Sequence, residues 1–328
     1  MKLDKEGFGL LELHAHLQYA VDLELWTIPF YMSAMYSIKD KNTQAYQLIR
    51  SIVNQEMLHL QCAANIANAF GLSPKINVPV YEGTKVPHLD FSLDPQELVK
   101  QYEPYTAEIG PLDEEHINAM CLIELPEYDT QLKSHAQNAM VFCDTPTEYG
   151  TIGAFYQALL HGVALHKDQI RGGLKQVDFF APFYRNMPNL TVTGSKDIGL
   201  SQVQLLINLI TDQGEGFSAK EECVPKVFQN TADDPQPAQD HFAKFNEIKT
   251  CKDDRPETFQ GGGADDSGLQ GILIEQFAEL TQVFQAMFNG ENPKQFFPIM
   301  ASVGASIRNC WQNGVTPSFS ESTTQEEK

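Results

Sequence analysis

With 328 residues, 42% of them hydrophobic and 20% charged, the chain has the composition of an ordinary soluble globular protein and enough length for a large core in one domain or two. Its formal charge of −20 argues against a nucleic-acid backbone or an anionic membrane as partner. No apolar stretch approaches the roughly 20 residues that cross a bilayer.

The first element expected is a helix over residues 8–38. It carries Leu17, Val21, Glu24, Ile28 and Tyr31 on one stripe of a 3.6-residue period, and Pro29 should bend it just beyond Glu24. After the polar turn at residues 39–42, a second helix runs from about 43 to 70, closed by Gly71. Residues 73–95 hold four prolines and little periodicity, which reads as a long surface excursion. Asp94 then caps a short helix that starts at Pro95, and another short helix covers about 114–124.

A third long helix is expected from near Thr147, with Thr147 or Thr151 as cap, to about Gly172. Residues 173–200 are irregular, anchored by Phe179, Phe180, Phe183 and Tyr184. The fourth helix starts after Gly199 and weakens at Gly214 and Gly216. A polar insert leads to a helix over about 237–248. Gly261-Gly262-Gly263 lacks a preceding strand and a following Gly-Lys-Ser/Thr, so it is a flexible loop and no phosphate cradle. Helices over about 270–288 and 298–313 close the ordered part, and the Ser/Thr/Glu-rich tail from 316 is expected to be disordered. The chain is therefore read as all-α, with units at 1–255 and 256–314 and a tail at 315–328.

The chemistry concentrates in Glu56-Met57-Leu58-His59. On a helix, positions i and i+3 share a face, so the carboxylate of Glu56 and the imidazole of His59 meet. Ile49, Ile52, Val53, Leu60 and Ala63 turn that face inward. An ionised carboxylate in a core is costly unless paired or metal-bound, and Glu24, flanked by Leu23, Leu25 and Trp26, has the same problem. Carboxylate-bridged metal bundles supply one Glu from each of two helices and a Glu-x-x-His from each of two others. Glu24, Glu56 and His59 make the first half; a His–Glu hydrogen bond that merely orders the core is the competing reading. For the second half the residues say less: Glu215 has polar neighbours, His241 lies beside Phe245 and Ile248, and His161 shares a face with Ala154, Ala158 and Leu165, with Gln157 beside them. His14, His16 and His166 are read as surface or supporting residues. The start of the chain has no long apolar leader core, and six scattered cysteines without a C-x-x-C read as reduced thiols in a cytoplasmic protein. A Cys223–Cys251 link is disfavoured in such a compartment.

Six short motifs occur in order: Leu17-Gln18-Tyr19-Ala20 through Glu24-Leu25-Trp26-Thr27-Ile28-Pro29; Glu56-Met57-Leu58-His59-Leu60; Ile123-Glu124-Leu125-Pro126-Glu127; Thr151-Ile152-Gly153-Ala154-Phe155-Tyr156; Gln213-Gly214-Glu215-Gly216; and His241-Phe242-Ala243-Lys244-Phe245. Over about residues 8–250 they resemble the ferritin-like domain of iminophenyl-pyruvate dimer synthase type, found in violacein and chromopyrrolic acid biosynthesis. The resemblance implies a ferritin-like four-helix bundle with long loop excursions and additional C-terminal helices. It also implies iron, one or two ions per chain, on Glu24, Glu56, His59, Glu215 and His241, with other divalent metals as alternatives. The family carries Glu where this chain has Ala154, so one metal position should be weakened, or served by Gln157, His161 or water.

Two functions of different class follow from this reading. One is an iron-dependent oxidative enzyme of secondary metabolism acting on an amino-acid-derived small molecule. The other is a non-catalytic ferritin-like protein that binds a partner with a reduced metal site. Iron storage fits less well, because long excursions suit a shell-forming bundle poorly. A homo-oligomer is compatible with either.

Overall fold

The computed structural model describes residues 8–126, 148–180, 184, 187–214, 224–229, 233–251 and 255–321. Among these are nine α-helices and no strand: α1 (Leu10–Ser37), α2 (Gln44–Ala69), α3 (Gln96–Val99), α4 (Glu114–Ile123), α5 (Ile152–Leu165), α6 (Lys196–Gln213), α7 (His241–Thr250), α8 (Leu269–Phe288) and α9 (Phe296–Gln312). The all-α expectation holds. No helix among the described residues is long and apolar enough to cross a membrane.

Four of the helices close a ring: α1 packs on α2, α2 on α6, α6 on α5, and α5 on α1. The predicted stripe Leu17, Val21, Glu24, Ile28 and Tyr31 is buried, but so is every residue from Leu23 to Met35. A helix apolar all round belongs in the middle of a core. Pro29 lies inside α1 without ending it. The C-terminal pair α8 and α9 packs against α2 and α1 respectively and supplies what the end of α1 lacks. Arg308 donates to the carbonyls of Tyr36, Ile38 and Lys39, a cation on the carbonyl end of a helix. Trp311 Nε1 donates to Ser33 O at 2.9 Å.

The long excursion after α2 is clamped onto α1. Trp26 Nε1 donates to Val80 O at 2.9 Å and Tyr81 Oη donates back to Trp26 O at 2.8 Å. Tyr81 also meets Phe319, which packs on Phe277 and is buried. That ring lies in the stretch expected to be disordered from residue 316, so the order extends further than composition suggests; a single aromatic with a waiting pocket outweighs its polar neighbours.

Helix ends differ from expectation for local reasons. Thr151 is the cap of α5, accepting from Ala154 N at 3.0 Å, and the helix stops at Leu165 rather than near Gly172. Thr147 lies outside the described residues. α6 starts at Lys196, so Gly199 is inside it and not before it. A Cβ at Gly199 would lie 2.5 Å from Ile170 Cγ2 and 2.6 Å from Gly194 O, so this glycine serves close packing, not termination. α7 begins at His241, because Asp240 caps it by accepting from Ala243 N at 2.7 Å. Cys62, Cys121, Cys251 and Cys310 are free thiols. Cys143 and Cys223 lie outside the described residues.

Candidate metal centre

The ring of helices encloses one polar cluster. Glu24 comes from α1, and Glu56 and His59 from successive turns of α2. Glu124 caps the C-terminus of α4, and His241 is the first residue of α7. All five are at most 4% exposed, so water does not solvate their charges. The i, i+3 geometry read from the sequence is realised: His59 Nδ1 is 3.8 Å from Glu56 Oε1 and 3.7 Å from Glu24 Oε2. His241 Nδ1 is 2.8 Å from Glu56 Oε1 and 3.5 Å from Glu124 Oε1. Glu56, His59 and His241 each place a ligand atom within 4.8 Å of the others.

How His241 reaches the cluster follows from the break in α6. That helix ends at Gln213, and the carbonyl of Gly214 accepts from His241 N at 2.9 Å and Phe242 N at 3.4 Å. The carbonyl end of α6 is thereby satisfied by the N–H end of α7. The two helices meet at the cluster although the insert separates them in sequence.

Hydrogen bonds fix which nitrogen each ring presents. Gln213 Nε2 donates to Phe228 O at 2.7 Å, so its Oε1, 3.0 Å from His59 Nε2, is an acceptor. His59 Nε2 therefore carries the hydrogen, and a neutral ring turns the lone pair of Nδ1 toward Glu24 and Glu56. For His241 too, Nε2 is the nitrogen that donates to an amide oxygen. Lys244 Nζ can only donate, and it lies 3.3 Å from Gln55 Oε1, which makes that oxygen the acceptor for His241 Nε2 at 3.0 Å. Both imidazoles thus aim Nδ1 at carboxylates. His241 Nδ1 is buried and, despite its 2.8 Å separation from Glu56 Oε1, lies off the angle of a hydrogen bond.

The carboxylates are held too. Tyr156 Oη of α5 donates to Glu24 Oε1, Thr27 Oγ1 donates to Glu56 Oε2 at 2.8 Å, and Tyr31 Oη donates to Glu124 Oε1 at 2.7 Å. Burial, with the negative charge of Glu56 next, pushes the Glu24 carboxyl well above the usual range. Burial also raises Glu56, partly offset by His241. His59 is driven well below the ordinary histidine value, by burial first and then by His241. For His241 burial opposes the charge, but Glu124 and Glu56 overcome it and push the ring up to about 9. The cluster asks for positive charge at that nitrogen, which a proton or a metal ion can supply.

The donor set fits a metal. Two ligands each about 2.1 Å from one ion lie roughly 3.4 Å apart at a tetrahedral angle and about 3.0 Å at a right angle; three separations here, 3.5, 3.7 and 3.8 Å, are near the first and the 2.8 Å between His241 and Glu56 is nearer the second. Imidazole plus carboxylate suits iron, zinc or manganese. Each ring also donates its other N–H to a fixed acceptor, as metal-bound histidines do. A small cavity lined by Leu23, Glu24, Thr27, Glu56, His59, Glu124, Ile152, Ile210 and Gly214 lies at the centre.

Of the residues named from the sequence, Glu24, Glu56, His59 and His241 converge. Glu215 lies outside the described residues, next to the lining residue Gly214. Ala154, Gln157 and His161 are not in the cavity wall; His161 stands edge-on to Phe8 at 6.4 Å. His16 bonds Tyr149 at 2.6 Å and His166 bonds Phe8 O at 2.7 Å, both in supporting contacts. Glu124 was not among the candidate ligands. It is a lone carboxylate between Ile123 and Leu125, the same signal that singles out Glu24. Gln55 and Gln213 carry no such signal, since amides in a helix are usually solvated.

Comparison with known proteins agrees with the bundle. A family model described as Ferritin-like matches residues 17–250. A crystal structure of a ferritin-like protein from Caulobacter vibrioides is similar over 95% of this chain and 99% of that one, with 40% identity and a TM-score of 0.81. No curated protein matches the chain. With the family model covering most of its length, the chain belongs to the ferritin-like family.

Proposed function

We propose that the protein is a non-haem iron enzyme that oxidises an amino-acid-derived small molecule, with iron held by Glu24, Glu56, His59, Glu124 and His241. Glu215 is kept as a further candidate ligand on the strength of the motif resemblance. One observation carries the reading: two imidazoles, each locked through Nε2, aim Nδ1 into a buried cluster of three carboxylates. Iron on such donors supplies one-electron chemistry with dioxygen or a peroxide.

The chain's own residues do the rest. Tyr156, Thr27 and Tyr31 orient the three carboxylates by donating to them. Leu23, Ile152 and Ile210 line the cavity with apolar surface and limit water. The resemblance to iminophenyl-pyruvate dimer synthases is what suggests an amino-acid-derived substrate and secondary metabolism.

Elemental analysis of protein purified without chelator, beside Glu56→Ala, tests this. One or two irons per chain, lost in the variant with helical content retained, and iron-dependent oxygen uptake are expected. Retention of full iron by Glu56→Ala would sink the site, since Glu56 Oε1 lies within 4 Å of Nδ1 of both rings.

The small size of the central cavity favours a second reading, in which a metal ties α1, α2, α4 and α7 together without turnover. Bound metal with no oxygen uptake in the presence of reductant would select it.

A further inference from the structure

Behind His241 lies a second buried set that the ligand cluster does not account for. Lys244, one turn along α7, is fully buried, as is the side chain of Asp234. Lys244 Nζ donates to Asp234 Oδ2 at 2.8 Å and to Gln55 Oε1 at 3.3 Å. Gln55 Nε2 is 3.4 Å from the same Asp234 oxygen, and Gln55 Oε1 takes the hydrogen of His241 Nε2 at 3.0 Å. A buried lysine is costly to hold, and an ion pair buried this deeply adds little net stability over apolar residues of the same size. Its retention in the core calls for another role.

We infer that Lys244 and Gln55 are positioning residues that choose the ring nitrogen His241 offers to a metal, an inference that rests on the metal reading above. An amide alone does not decide the matter: rotated by half a turn, Gln55 would present an N–H to His241 and leave its lone pair on Nε2. Nδ1 would then carry the hydrogen and point it at Glu56. The ammonium forbids that rotation, because it can only donate and so holds Oε1 on its own side and on that of His241. Asp234 completes the lock by taking Lys244 and the amide N–H together. α2 bears Gln55 directly beside the ligand Glu56, so the relay also fixes α7 to the helix that supplies two of the ligands. For His59 the corresponding lock is a backbone carbonyl, that of Phe228 on Gln213. A carbonyl is attached to the fold, whereas an ammonium can be removed by one substitution, which makes the His241 side the testable one.

The experiment loads the full-length protein with Zn2+ and reads affinity by competition with a chromophoric chelator. The metal-bound ring nitrogens are read by two-bond 15N–1H correlation of labelled histidine. Wild type should bind through Nδ1 of both His59 and His241. Gln55→Leu and Lys244→Met should each weaken Zn2+ by roughly ten- to a hundredfold, the range for losing a group that orients a ligand. The His241 signals should shift or broaden while those of His59 persist. Gln55→Glu with Asp234→Asn keeps an acceptor for both Lys244 and His241 and gives the second Glu oxygen an amide N–H in place of the Asp234 carboxylate, so this pair should lose less than about tenfold.

Wild-type affinity in Gln55→Leu, coordination through Nε2 of His241, or equal loss in Gln55→Glu/Asp234→Asn and in Gln55→Leu would overturn the positioning role while leaving the metal site standing. No Zn2+ uptake by folded wild type would overturn both. Should Lys244→Met fail to fold, the contrast between Gln55→Glu/Asp234→Asn and Gln55→Leu decides alone.

Discussion

Glu24→Gln separates a metal ligand from a structural acid. In the metal-free protein, burial and the neighbouring Glu56 hold the Glu24 carboxyl well above its usual range. The amide matches the uncharged form that burial favours, and Gln Oε1 can still accept from Tyr156 Oη, as Glu24 Oε1 does. The sign of the linkage follows. A carboxyl with a raised folded value stays protonated while the unfolded chain ionises above about 4.5, so its contribution to stability falls as pH rises toward the folded value. Glutamine lacks this term, and metal-free Glu24→Gln should melt at or above wild type at pH 7.

With metal the order reverses. An ion present at a hundredfold its Kd stabilises by about 2.7 kcal/mol. At about 2.1 cal/mol/K per residue, unfolding 328 residues carries an entropy near 0.69 kcal/mol/K. The melting temperature of wild type should then rise by about 4 °C on loading with anaerobic ferrous iron. Glu24→Gln, missing an anionic donor, should show a rise of less than about 1 °C at the same iron concentration. Scanning calorimetry of both proteins with and without iron reads all four values. A drop of several degrees in metal-free Glu24→Gln would mean that the carboxylate is needed for the fold, and a full iron-induced rise would remove Glu24 from the site.

Metal binding at pH 7 should release protons, because the metal displaces the one on His241, held at about 9 by Glu124 and Glu56 against burial. Titration calorimetry in buffers of different ionisation enthalpy counts them, and a buffer-independent heat would contradict the assignment. Glu124→Ala should reduce iron retention as Glu56→Ala does and leave Tyr31 Oη without its acceptor; unchanged iron by elemental analysis would exclude Glu124 as a donor. Gly199→Ala places a Cβ against Ile170 and Gly194 at 2.5–2.6 Å and should destabilise by about 1–3 kcal/mol despite the better helix propensity of alanine, as read by urea unfolding.

Two of the five residues of the candidate centre were legible because their relation is local. Glu56 and His59 are three residues apart on one helix, and that spacing fixes their relation before any tertiary contact forms. Glu24 stands out because a carboxylate amid Leu23, Leu25 and Trp26 has no inexpensive solvent-free alternative. Glu124 has the same signature, yet it follows a ten-residue helix too short to display a stripe, and it acts from the cap where α4 ends. Helix boundaries went astray where the deciding partner is distant in sequence. Gly199 reads as a start until Ile170 and Gly194 are seen pressing on it, and residues beyond 316 read as a tail until Phe319 meets Tyr81 and Phe277.

The glutamines mark the limit of such reading. Nothing in the local sequence distinguishes Gln55 or Gln213 from a solvated amide, since their role is defined by what holds their far ends: Lys244 and Asp234 for one, the Phe228 carbonyl for the other. Both anchors lie on the segment that carries the chain from α6 to α7 or on α7 itself. That insert does more than lengthen a connection. By ending α6 at Gly214 and restarting at His241, it gives the fourth side of the cluster two helix ends in place of one continuous helix. A continuous helix could offer Glu and His at fixed spacing from one face. A broken one brings in an imidazole whose direction is set by a separate hydrogen-bond relay, so the ligand geometry on this side depends on Gln55 and Lys244 rather than on helical periodicity.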